Sequence, residues 1–207
     1  MKKRIICGGK KMHYFEYDEP KDQLLTDEKP CIHVIFNMTL LCFITLHTDC
    51  LKVWDAKTGK LSSVYRGLTT PGYELTCMIL DSRERKLFVG DSEGAVFTVN
   101  IKNGAKMKSF QKHDSPVTGL GYWCSDNSNI SDERYSDLRR IISISMNSEV
   151  FIHDEDAPED AKSSCRYIMK QHKDGCNSIS VRLGHEILAT GSEDGSTIIM
   201  NLISYRH

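Results

Sequence analysis

A short phrase recurs along this 207-residue chain and limits its fold more than any other feature. It consists of a small-residue or acidic turn, a β-rich run ending in an aromatic or apolar residue, then Asp or Asn. It reads Leu51-Lys52-Val53-Trp54-Asp55, Val96-Phe97-Thr98-Val99-Asn100, Val150-Phe151-Ile152-His153-Asp154 and Ile198-Ile199-Met200-Asn201. A weaker copy, Met12-His13-Tyr14-Phe15-Glu16, opens the series. Aligned on Phe15, Trp54, Val99, His153 and Met200, the copies lie 39, 45, 54 and 47 residues apart. Such a period implies an array of small sheets, because one unit of this size cannot bury its own apolar face. Arrays of this kind display loops, so the expectation moves toward a docking surface and away from an enzyme.

Short runs rich in Val, Ile, Phe and Tyr alternate with clusters of Gly, Asp, Asn, Ser and Lys, the pattern of many short strands. Strands are expected near 4–7, 11–17, 31–36, 40–46, 51–55, 60–66, 74–80, 86–90, 95–100, 106–111, 117–123, 140–145, 149–153, 165–170, 177–182, 186–190 and 196–202. No segment sustains a helical period. Asp55-Ala56-Lys57-Thr58-Gly59 and Asn100-Ile101-Lys102-Asn103-Gly104 each end in a glycine suited to positive φ. Ser92-Glu93-Gly94 and Glu193-Asp194-Gly195 supply turns before two of the signature strands.

Composition narrows the class. Hydrophobic content of 40% and charged content of 27% suit a globular chain, and a net charge of −1 gives no reason to expect nucleic acid or an anionic membrane as partner. The eight cysteines include no Cys-x-x-Cys pair, and most sit inside apolar runs, where a thiol acts as a small hydrophobe. Reduced, structural thiols in a cytoplasmic compartment are expected. Only Ile5, Ile6 and Cys7 follow the basic start before Gly8-Gly9, too short for a signal-peptide core. The most apolar segment, 31–46, contains His33, Asn37 and Thr39 and falls short of the ~20 residues that span a bilayer.

Two stretches carry a family resemblance. Thr190-Gly191-Ser192-Glu193-Asp194-Gly195-Ser196-Thr197-Ile198-Ile199-Met200-Asn201-Leu202 resembles the third-strand signature of WD-repeat β-propellers. So does Leu51-Lys52-Val53-Trp54-Asp55-Ala56-Lys57-Thr58-Gly59-Lys60. His113 and His172 match the family's histidine before a blade's first strand. The glycine usual before that histidine is replaced by Lys112 and Gln171, and only Trp54 keeps the family's tryptophan. Several blades should therefore lack parts of the family's buried hydrogen-bond network. The resemblance implies an all-β fold, a partial WD-repeat propeller of about four and a half four-stranded blades forming an open arc. Its approximate units are 1–30, 31–70, 71–113, 114–172 and 173–207, all in one segment. The chain reads as a fragment of a longer propeller, starting on a blade's second strand and ending on a third, with exposed sheet edges.

The run Glu74 to Asp91, with Asn103-Gly104-Ala105-Lys106-Met107-Lys108, is similar to ciliary WD-repeat proteins that carry an EF-hand-like region. That similarity implies an axonemal, microtubule-associated scaffold in the cytoplasm or cilium. No Asp-x-Asp-x-Asp-Gly calcium loop occurs.

The most distinctive local feature lies on the fourth unit. A polar insertion from Ser125 to Arg139 contains Asp132 and Glu133, and a later connection holds Asp154, Glu155, Asp156, Glu159 and Asp160. In an antiparallel meander, the first and third connections leave the same end of the sheet. These seven carboxylates are therefore expected to form one negative rim that docks a basic partner, with Arg134, Arg139 and Arg140 partly neutralising it. Solvated loops are the plain alternative.

His113 and His172 are expected to bond within their own blades. No catalytic set, cofactor site or metal site emerges: Gly8-Gly9-Lys10-Lys11 lacks phosphate-loop spacing, and no Gly-x-Ser-x-Gly or His-Glu-x-x-His is present. The expected function is a non-enzymatic scaffold for protein–protein interaction, with no membrane, nucleic-acid or small-molecule partner. A partner-recruiting subunit of a cytosolic multiprotein complex is the alternative, and a propeller enzyme a distant third.

Overall fold

Within each sheet, every strand pairs antiparallel with the next one in sequence. The computed structural model describes residues 4–7, 12–16, 24–27, 29–125, 138–158, 164–182 and 185–206. These form five sheets. The first joins β1 (Arg4–Cys7), β2 (Met12–Glu16) and β3 (Leu24–Asp27). The second joins β4 (His33–Asn37), β5 (Cys42–Leu46), β6 (Cys50–Asp55) and β7 (Leu61–Arg66). The third joins β8 (Leu75–Leu80), β9 (Lys86–Asp91), β10 (Val96–Asn100) and β11 (Lys106–Ser109). The fourth joins β12 (Val117–Cys124), β13 (Arg139–Ser145), β14 (Val150–Asp154) and β15 (Cys165–Met169). The fifth joins β16 (Cys176–Arg182), β17 (Ile187–Ser192) and β18 (Thr197–Asn201). No helical element is present among the described residues. The fold is all-β, the blade-like leaflets of a partial propeller, as the repeat requires. Only β3 was not foreseen, its Leu24-Leu25-Thr26-Asp27 being flanked by charged residues.

The chain divides into two compact units, Met1–Leu75 and Thr76–His207. In the first, Ile44, Leu46, Leu51, Val53 and Trp54 are buried around the two central strands of the second sheet. Its outer strand β4 leaves Val34 and Phe36 exposed.

The second unit shows how three leaflets share their cores. Side chains alternate across a strand, so one strand can serve two cores. Leu120, Tyr122 and Cys124 of β12 face a cluster with Phe88, Val96 and Phe110 of the third sheet's segment. From the opposite face of β12, Trp123 joins Ile142, Ile144, Ile152, Leu188 and Met200 in a cluster shared with the fifth sheet. Burial on both faces explains why central strands read as apolar runs instead of alternating. Close approach also needs missing side chains. A Cβ on Gly90 would lie 2.7 Å from Val117, and one on Gly121 would lie 2.7 Å from Val181.

In three of the phrases the closing Asp or Asn has a local cause. Asp55 Oδ1 accepts hydrogen bonds from the amides of Lys57 and Thr58, Asn100 Oδ1 from Lys102, and Asn201 Oδ1 from Ile203 and Ser204. Short acceptors of this kind close a turn immediately after the strand. Gly59, Gly104 and Tyr205 then take φ of 69°, 71° and 54°.

The apolar residues of the signature strands, which the repeat leads one to expect as core, are not all buried. Trp54, Phe97 and Val99 are buried, but Ile199 is 60% exposed. β18 is the outermost strand of a three-stranded sheet, and Ile199 points away from the shared core that Met200 enters.

Candidate interaction surface

The fourth sheet brings the two expected connections to one end. Ser125 N donates to the carbonyl of Leu138 at 2.9 Å, and Glu155 N to the carbonyl of Arg139 at 3.1 Å. Asp132, Glu133, Glu159 and Asp160 lie outside the described residues. Asp154, Glu155 and Asp156 are described, and each sits differently.

Asp154 is held by two guanidiniums. Arg140 from β13 lies 3.1 Å from its Oδ2, and Arg166 from β15 lies 3.0 Å away. Arg140 is almost fully buried, so Asp154 supplies the charge that lets it stay there. Glu155 turns inward and is buried. Lys86 Nζ of β9 donates to its Oε1 at 2.7 Å, and the Tyr122 hydroxyl donates to its Oε2 at 2.7 Å. Burial, reinforced by that carboxylate, pushes the Tyr122 phenol well above its ordinary range. Lys108 of β11 donates to the Glu155 carbonyl at 2.6 Å and to the Ala157 carbonyl. Burial lowers the Lys108 ammonium, against the pull of the nearby carboxylates. Two lysines of the third sheet thus pin the acidic connection of the fourth. Asp156 is exposed, and Arg139 approaches it at 3.7 Å.

Toward the opposite end of the same sheet, where the β13–β14 turn lies, runs an acid–histidine–serine line. Glu149 Oε2 lies 3.4 Å from His113 Nδ1, and His113 Nε2 lies 2.7 Å from Ser143 Oγ. Ser143 Oγ also meets His153 Nε2 at 3.1 Å. Lys170 pairs with the other oxygen of Glu149. Burial pushes the Glu149 carboxyl up, but hydrogen bonds from Lys170 and Asn147 outweigh it and hold the group below its usual range. The order matches a nucleophile with its base and orienting acid. Yet His113, Ser143 and His153 are sealed in the core, with Phe151 stacked on His113 at 3.9 Å. A substrate has no approach to Ser143 Oγ, and the line works as a brace between strands.

Equivalent braces occur elsewhere. Trp54 Nε1–H donates to Thr45 Oγ1 at 2.9 Å, and His47 links Thr45 to the Pro30 carbonyl. His172 bonds Thr190 and Ser196, each at 2.9 Å. His113 and His172 therefore serve the sheets they precede, as expected. The parts played by His47 and His153 were not read from the sequence. For His153 the signal was present, since it occupies the alignment column of Trp54. Among the described residues, no group of three or more His, Cys, Asp or Glu could hold a metal ion, and no helix is long and apolar enough to cross a membrane.

Comparison with known proteins gives distant relatives. A stretch of 114 residues is 30% identical to Cilia- and flagella-associated protein 337 B of Tetrahymena thermophila, covering 55% of this chain and 9% of that protein. A stretch of 80 residues is 32% identical to U3 small nucleolar RNA-associated protein 13 of Saccharomyces cerevisiae, covering 39% of this chain and 9% of that protein. The matches therefore span about a tenth of each relative's length. The crystal structure of the computationally designed Ika8 protein shares the fold, with a TM-score of 0.71 over 96% of this chain and 55% of that one at 16% identity. No protein-family model matches the chain. Repeated antiparallel sheets of three or four strands, taken with these relatives, are consistent with a WD-repeat propeller.

Proposed function

We propose that this chain is a non-enzymatic scaffold that binds other proteins through connections at the sheet ends, with its place in a cilium or axoneme. The observation that carries the reading is the fourth sheet. It holds its two longest connections at one end, above a core braced by buried hydrogen bonds rather than by an open reactive group. The relative named for cilia and flagella supports the ciliary assignment. Partners would be axonemal or microtubule-associated proteins, and the docking rim would include Asp156 with the carboxylates at 132, 133, 159 and 160. Asp154 lies at the same rim but also holds Arg140, whereas Glu155, expected at the rim, is turned inward onto Lys86 and Tyr122, so replacing either tests stability together with binding.

The test is affinity capture with the 207-residue chain from ciliated and non-ciliated cells. Enrichment of axonemal proteins, reduced by Asp156→Lys with Asp160→Lys, supports the reading. Equal recovery from both cell types, or capture indifferent to the substitutions, rejects it. A second reading, a partner-recruiting subunit of a cytosolic multiprotein complex, draws on the similarity to U3 small nucleolar RNA-associated protein 13. It predicts recovery of such assemblies instead.

A further inference from the structure

Two seams in the second unit are built alike, with the first strand of one sheet lying against the preceding sheet. The hydroxyl of Thr76, second residue of β8, donates to the Val117 carbonyl of β12 at 2.6 Å. That of Thr118, second residue of β12, donates to the Cys176 carbonyl of β16. Missing side chains make room: Gly90 admits Val117, while Gly119 and Gly121 admit Ile179 and Val181. The entering side chains hold equivalent places. Leu120 stands opposite Ser143 and Ile179 opposite Thr190, the hydroxyl residues bonded by His113 and His172. Tyr122 and Val181 follow two residues on, toward the same face.

Each half of this joint also occurs uncovered. On the fifth sheet, Asn177 takes the place of Thr76 and Thr118 as second residue of the first strand. Gly191, Ala189 and Ile199 share the face turned from the fourth sheet. Within 4 Å, a Cβ on Gly191 would meet only Ser178 and Asn177 of its own sheet, and Ile187 and Ile199 are 40% and 60% exposed. On the second sheet, Val34 stands opposite Thr45, the hydroxyl residue bonded by His47, and Phe36 follows two residues on. Those are the places of Leu120 and Tyr122, which are 8% and 6% exposed, yet Val34 and Phe36 are each 41% exposed.

We infer that two copies of this chain associate head to tail, β4 of each lying on the open face of the other's fifth sheet. Complementarity selects a second copy as the occupant. Val34 and Phe36 are the apolar pair for which a seam leaves space, and the fifth sheet has that space at Gly191 and Ala189. Asn177 offers a side-chain donor where Thr76 and Thr118 stitch the seams described above. The contact is heterologous, since each copy gives one half of the joint and receives the other, and two such joints close a pair. Extent agrees with a pair: this chain covers 55% of the solved structure that shares its fold, and a second copy supplies about the remainder. The inference goes beyond the scaffold reading and does not rest on the acidic rim.

Sedimentation equilibrium of the 207-residue chain, from micromolar to hundred-micromolar concentration, is expected to show a reversible dimer. Val34→Glu and Ile199→Glu each spoil one half of the joint at an exposed position, so both variants should keep the circular dichroism of the parent. Each is expected to weaken dimerisation at least about tenfold, because the joint would bury an unpaired carboxylate. Val34→Ser and Ile199→Ser replace them if either glutamate variant misfolds. The decisive arm mixes the two variants in equal amounts, one of them fluorescently labelled. The mixture retains one intact joint, Val34 of one variant against Ile199 of the other, and should form mixed dimers that neither variant forms alone. A parent chain that stays monomeric throughout the range overturns the inference, as does a mixture without mixed dimers. Growth beyond the dimer overturns the closed pair. Dimerisation lost with Ile199→Glu but kept with Val34→Glu also overturns it, and assigns the association to β18 pairing edge to edge with its copy.

Discussion

Lowering the pH from 7 to 5 should destabilise this protein through its buried histidine pair. His113 and His153 are fully enclosed, and burial lowers their pKa from 6.5 to about 4 and about 3 respectively. Glu149 partly offsets the effect at His113, whereas the charges of His113 and Lys108 add to it at His153. Below pH 6.5 the unfolded chain takes up protons on both rings that the folded chain refuses. Stability therefore falls as pH falls, and the loss levels off only near the folded values. One pKa unit corresponds to about 1.4 kcal/mol, so 1.5 units between 6.5 and pH 5 amount to about 2 kcal/mol for each ring and about 4 for the pair. Glu149 is held below its ordinary range and should not titrate in this window. His153→Phe isolates one half. His153 Nδ1 has no hydrogen-bond partner, and its ring sits 5.4 Å from Phe110 and 5.9 Å from Phe151. The variant should keep its stability at pH 7 within about 1 kcal/mol and lose about 2 kcal/mol less than the parent at pH 5. Urea unfolding followed by far-ultraviolet circular dichroism at pH 7, 6 and 5 measures both. Identical pH slopes in parent and variant would refute the reasoning.

Four further variants can be checked by the same unfolding assay. Trp54→Ala should cost about 3–5 kcal/mol, since it empties a buried indole site and strips Thr45 of its donor. Gly94→Ala should cost more than about 4 kcal/mol, because the new Cβ would lie 2.3 Å from the His113 carbonyl oxygen at a φ of 93°. Gly195→Ala, at a φ of 80° with nothing within 4 Å, should cost only about 1–2 kcal/mol; equal costs at the two glycines would contradict the packing described. Tyr122→Phe should cost about 1–3 kcal/mol by leaving the buried Glu155 one donor short, and a cost near zero would mean that the carboxylate is hydrated.

Most of the strands could be read from the sequence because the repeat, the apolar runs and the Asx turns are local signals. β3 could not, since Leu24 and Leu25 stand among charged and polar neighbours and its pairing with β2 is a tertiary fact. The rim was legible only in outline. The meander rule gave the shared end of the connections beyond β12 and β14, but their charge balance depends on partners far away in the chain. Lys86 and Lys108 reach Glu155 across 69 and 47 residues. Loop composition therefore suggested a negative surface where buried pairing takes up part of the charge. Ile199 illustrates the same limit from the apolar side, because exposure depends on what covers a face and not on the residue.

Hydrogen–deuterium exchange resolved to single strands tests the leaflet arrangement most directly. Paired on both sides and largely buried, β5, β6, β9, β10, β13 and β14 should exchange slowest within their sheets, with β18 faster and the 146–149 turn faster still. Protection spread evenly over each sheet, or strongest at β4 and β18, would contradict the account.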